Sequence, residues 1–110
     1  MAYDEKFAAR IQKALGTRKG LVAKQMFGGI AFLLNGNMCV GIHKDELIVR
    51  LAPNETDAAL AKPHTRLFDL TGRPMKGWIL VGPRGIATDP QLAKWITIAA
   101  TYAGALPPKT

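Results

Sequence analysis

Apolar positions first recur at helical spacing. Phe7, Ile11, Ala14 and Leu15 fall on one face of a segment running from Asp4 to Leu15. Asp4 stands where an N-cap belongs, and Gly16 where helices commonly end. A basic loop follows over 17–24. The pattern then changes period. Gln25 to Leu51 holds three strand-like runs: Met26–Leu34, Met38–Ile42 and Leu47–Leu51. Asn35-Gly36 between the first two is a strong hairpin signal, and Lys44-Asp45 turns the second pair. The Gly28-Gly29 pair inside the first run predicts a bulge or a close backbone approach. Pro53-Asn54 opens a short helix capped by Asn54 and stopped by Pro63. Two further strands are expected, Arg66–Leu70 and Trp78–Val81, separated by the turn-rich loop 71–77. After the turn Gly82–Gly85, Asp89 caps a last helix with Pro90 in its first turn. Leu92, Trp95, Ile96, Ala99 and Ala103 form that helix's apolar stripe, and Gly104 with Pro107-Pro108 ends it.

The order α-β-β-β-α-β-β-α predicts an α+β domain: two layers, with a five-stranded antiparallel sheet and its helices on one face. Phe7, Ile11, Leu92, Trp95 and Ile96 should be buried together. The meander looks apolar on both faces. Ile30, Phe32, Leu34, Met38, Val40, Ile42, Leu47 and Val49 make one set, while Ala31, Leu33, Cys39 and Ile48 make the other. A sheet covered on one side should alternate more cleanly, so a second copy pairing as a homodimer is one expected way of covering the other face.

Length adds that 110 residues make one domain, 1–110. Fifteen Lys+Arg against eight Asp+Glu give a formal +7, which admits nucleic acid, anionic ligands or acidic protein surfaces as partners. Lys6, Arg10 and Lys13 share a helical face, a solvated stripe or a row of phosphate contacts. The opening Met-Ala-Tyr-Asp-Glu-Lys lacks the basic region of a secretory signal, and no apolar run reaches the roughly 20 residues of a membrane span. With one cysteine and no disulfide framework, a cytoplasmic protein is expected.

Candidate chemistry is sparse. Cys39 and His43 fall on the same alternate face of the second strand, but about 13 Å apart, too far for a nucleophile and its base. One Cys with His43 and His64 matches no zinc spacing, so no metal and no cofactor are expected. His64, at a helix end, reads as meeting orphan carbonyls. Asp4-Glu5 and Asp45-Glu46 read as caps and solvated turn tips. Asp69, a lone acid in an apolar run, reads as an ion-pair partner, for instance of Arg73. Nothing assembles a catalytic constellation, so the chain is expected not to be an enzyme.

Three segments have a distinctive form: Lys24-Gln-Met-Phe-Gly-Gly29, Leu34-Asn-Gly-Asn-Met-Cys39 and Thr71-Gly-Arg-Pro-Met-Lys-Gly-Trp78. In order and spacing they resemble the N-terminal domain of the TfoX/Sxy family of bacterial competence regulators, from Tyr3 to Pro108. The resemblance implies a secretion-chaperone-like α-β(3)-α-β(2)-α fold. It also implies a link to transcription of DNA-uptake genes together with the cyclic-AMP receptor protein. It marks Met26, Phe27, Gly28, Gly29, Asn35, Gly36, Gly72, Pro74, Met75 and Gly77 as family-motif positions and carries over no catalytic residue. Full-length regulators have a second, C-terminal helical domain that these 110 residues do not include. The expected function is therefore a non-enzymatic interaction domain, a transcription co-regulator acting on a protein partner. Direct nucleic-acid binding through the basic first helix and the loop after it is an alternative, as is a small-ligand or anion sensor at Gly28-Gly29 and Gly72–Gly77. Lys24, Arg73 and Lys76 are the candidate binding cations. Pro74 holds Arg73 extended, in a loop where binding groups commonly sit.

Overall fold

The computed structural model describes residues 4–26, 29–68 and 76–108. The first helix, α1, spans Glu5–Leu15. The Asp4 carboxylate accepts from the Lys6 and Phe7 N–H groups at 2.9 and 3.3 Å, as its position predicts. Gly16 closes the helix at a φ of 69°. The strands are β1 (Leu21–Met26), β2 (Gly29–Leu34), β3 (Asn37–His43), β4 (Glu46–Arg50), β5 (Thr65–Leu67) and β6 (Trp78–Val81). Helix α2 (Thr56–Leu60) follows the 3-10 turn Pro53–Glu55, and α3 spans Asp89–Ala105.

The α+β architecture stands, but the antiparallel sheet has six strands, not five, in the order β1-β2-β3-β4-β6-β5. The extra strand is β1, which takes the second half of the segment read as a basic loop. It lacks the alternation that marks a strand because residues 22–25 are exposed on both faces, so its ladder to β2 defines it and its burial does not. The bulge also lies elsewhere. Gly29 pairs in register with Met26, and Gly28 lies outside the described residues. The register shifts instead between Phe32 and Leu33, which face Val40 and Met38 and leave Cys39 as the additional residue on β3. Two caps move by one residue. Thr88, not Asp89, caps α3, in a capping box with Gln91. Asn54 lies inside the 3-10 turn, and α2 has no side-chain cap. The fourth predicted strand is shorter than 66–70. It ends at Leu67, and 69–70 lie outside the described residues.

The turns follow their chemistry. Asn35 and Gly36 both take positive φ, 52° and 84°, as a two-residue hairpin of this hand requires. Helices α1 and α3 pack side by side on one face, burying Phe7, Ile11, Leu92, Trp95 and Ile96 in one core with Phe32, Val40, Leu47, Val49, Ile79 and Val81.

The opposite face is not an open apolar surface. The bulge sends Cys39 into the helix-side core beside Val40. Gly41 leaves room for Met38, whose Cε would lie 3.0 Å from a Cβ there. Arg66 on β5 reaches Glu46 on β4 with two bonds, 3.1 and 2.7 Å, and so crosses over β6 where Leu80 lies fully buried. Glu46 is therefore an ion-pair partner rather than a solvated turn tip. At the end of β4, Arg50 lies over the Trp78 ring at 5.1 Å and also reaches the Tyr102 ring of α3 at 5.7 Å, joining the sheet's end to the helix layer. Long side chains roof small or apolar ones, and Val22, 58% exposed, is the large hydrophobic left in solvent among the described residues. Among the described residues no uncovered apolar face of the kind that suggested a homodimer is seen.

Candidate functional site

Cys39 and His43 are not a catalytic pair. The bulge turns Cys39 inward, while strand alternation from Ile42 turns His43 to the other face. Burial raises the Cys39 thiol from 9.0 to about 12, against a smaller lowering by the Arg18 cation, so it is no nucleophile near neutral pH. No group of three or more His, Cys, Asp or Glu among the described residues could hold a metal ion. His64 sits at a φ of 66°, and its own carbonyl accepts from the Gly82 N–H at 2.8 Å. The helix-end carbonyls expected to meet it are met instead by the Thr65 hydroxyl, 2.8 Å from the Lys62 carbonyl.

The binding cations are separated. Lys24 is exposed on β1, at one margin of the sheet, and Lys76 is exposed just before β6. With β2, β3 and β4 between those strands, the two lie about 19 Å apart or more. Arg73 lies outside the described residues, as do Phe27, Gly28, Asp69, Gly72, Pro74 and Met75.

Motif positions inside the described residues have structural work. Gly20, at a φ of 83°, packs against the Asn35 side chain, and its carbonyl accepts from the Asn35 N–H at 3.0 Å. Gly77 is buried at a φ of 89°. Its N–H donates to the Thr56 hydroxyl at 2.8 Å, and its carbonyl accepts from the Leu51 N–H at 3.0 Å. A Cβ there would stand 3.1 Å from the Leu51 carbonyl oxygen. This join fixes the start of β6 against the end of β4. Thr56→Val keeps the shape but strands the Gly77 N–H, so urea unfolding should show a loss of about 1–3 kcal/mol.

The basic stripe on α1 is divided. Arg10 pairs with Asp89 at 3.4 Å and donates to the Ile86 carbonyl at 2.8 Å, tethering α1 to the start of α3. Arg18 donates to the Ala14 and Leu15 carbonyls and closes the C-terminal end of α1. Lys6 and Lys13 remain exposed. Sequence reasoning missed a larger asymmetry. The 39 residues 6–44 hold seven of the fifteen cations and no acid, which leaves eight cations against eight acids elsewhere. The whole formal +7 thus resides in the segment that builds α1, β1, β2 and β3. It is legible as a long acid-free run, which local clusters of Lys and Arg hide. Lys13, Lys19 and Lys24 make no ion pair among the described residues.

A family model for the TfoX N-terminal domain matches residues 13–103. No curated protein and no solved structure matches the chain. No helix among the described residues is long and apolar enough to cross a membrane.

Proposed function

Because the chain belongs to the TfoX N-terminal domain family, we propose that it is a non-enzymatic interaction domain with a competence-related role, acting on transcription through contact with a protein partner. The observation that carries this reading is the segregation of charge: one contiguous part of the fold bears the entire net +7. A cationic segment of this kind speeds encounter with acidic surfaces and selects against basic ones. The buried, protonated thiol supports a role without catalysis. Deleting the gene from its native host should lower transcripts of DNA-uptake genes, and re-expression should restore them. Unchanged transcripts refute the competence role.

The same charge favours a second reading, direct binding of nucleic acid. Against it, Arg10 and Arg18 are already bonded within the fold. Titrating a fluorescent duplex separates the two. Protein contact expects no duplex binding at about 150 mM salt. Binding that persists there and falls steeply with further salt would favour nucleic acid.

A further inference from the structure

This inference rests on the protein-contact reading and names the element that makes the contact. The bond from the Asn35 N–H to the Gly20 carbonyl sets the phase of the β1–β2 ladder. Bonded and non-bonded pairs alternate in an antiparallel ladder. Val22 and Lys24 therefore turn their backbone groups toward Leu33 and Ala31, while Leu21 and Ala23 turn theirs outward. The Arg18 carbonyl takes the Leu21 N–H at 3.2 Å. That leaves the Leu21 carbonyl and both backbone groups of Ala23 facing away from the sheet. All six residues of β1 pair with β2 without a register break, and residues 22–25 are exposed. In the sheet order β1 is a margin, and among the described residues no strand pairs with its outer side, which makes it a template for another strand. The opposite margin is β5, which has three residues and packs beside α2.

Charge decides the occupant. Lys19 precedes the edge, Lys24 lies on it, and no acid occurs between residues 6 and 44. A second copy would bring the same cations to the seam. We propose that β1 accepts an extended, acidic segment of a partner protein as a seventh strand. An acidic side chain of that segment stands opposite Lys24 and an apolar one opposite Val22, both on the face away from the helices. Main-chain bonds supply attachment and the two side-chain positions supply selectivity.

The test uses two blocked ten-residue peptides, one with glutamate and valine taking turns along one face and threonine on the other, the second with lysine in place of glutamate. Binding is followed by amide NMR of the whole 110-residue chain. The glutamate peptide should shift β1 amides and slow exchange at the Ala23 N–H, and the lysine peptide should do neither. Ala23→Pro removes an outward N–H without breaking a bond to β2, so it should abolish binding with Tm unchanged. Lys24→Glu should weaken binding of the glutamate peptide about tenfold at low salt and keeps the test valid if the proline variant loses stability. Binding that survives both substitutions overturns the edge while leaving protein contact elsewhere intact. Failure of both peptides to perturb β1 overturns it as well. A concentration-dependent dimer in sedimentation, lost in Ala23→Pro, overturns the acidic partner in favour of a second copy.

Discussion

Trp95→Ala should destabilise the domain by about 3–5 kcal/mol, the range for truncating a large aromatic in a packed core. Trp95 is 6% exposed and belongs to the same buried cluster as Phe7, Ile11, Leu92 and Ile96. The indole also supports a second element, because the Lys62 ammonium stands 5.3 Å from its ring centre, just past α2. Removing the ring opens a void between α3 and the sheet and takes away the surface on which Lys62 rests. For a domain near 100 residues each kcal/mol moves Tm by about 4–8 °C, so thermal melting should fall by roughly 12–40 °C. A loss below about 1 kcal/mol in urea would place this face of α3 outside the core.

The second large effect is alkaline. Cys39 is fully buried, and burial lifts its thiol from 9.0 to about 12. The folded state therefore holds the proton more tightly than the unfolded state does. The corresponding stability is complete below pH 9 and is lost as pH rises from about 9 to 12. At 1.36 kcal/mol per unit, the three units amount to about 4 kcal/mol in all. The informative quantity is a difference between two proteins at the same pH. The stability advantage of the wild type over Cys39→Ala should shrink by about 1.4 kcal/mol per pH unit above pH 9. Parallel curves for the two proteins would show that the thiol is not desolvated. A disulfide reagent added at pH 8 should label Cys39 only as the chain unfolds.

Elements that bury a periodic apolar face were readable from sequence: α1, α3, β2, β3 and β4, with Asp4 and Asn35-Gly36 marking their limits. The features that escaped leave no periodic trace. Residues 22–25 of β1 are exposed, so the strand shows no buried alternating face. The bulge at Cys39 adds a small residue that suits either side of a strand. The neighbouring cap residues Thr88 and Asp89 are told apart by the Gln91 partner that completes the box. Lys24 and Lys76 look comparable along the chain, and only the sheet order shows that three strands part them. The net charge could be counted in advance. Its meaning depends on β1 being a margin, which is a property of pairing between strands.

The place of β6 between β4 and β5 has a consequence for how the sheet comes together. Strands β1 to β4 are joined by short reversals and can zip as neighbours, and β5 with β6 forms a second local ribbon. Those two ribbons meet along one seam, Leu47–Arg50 against Trp78–Val81. The seam closes over the intervening residues 51–77, an entropic cost that must be met before its contacts form. It also delivers α3, which leaves β6 after one 3-10 turn and packs back over β3 and β4. Until the seam forms, each ribbon has lost chain entropy without gaining the common core. Once it forms, helix and sheet complete each other's burial in the same event. The four-pair seam and the packing of α3 that it delivers thus make two local ribbons one folding unit.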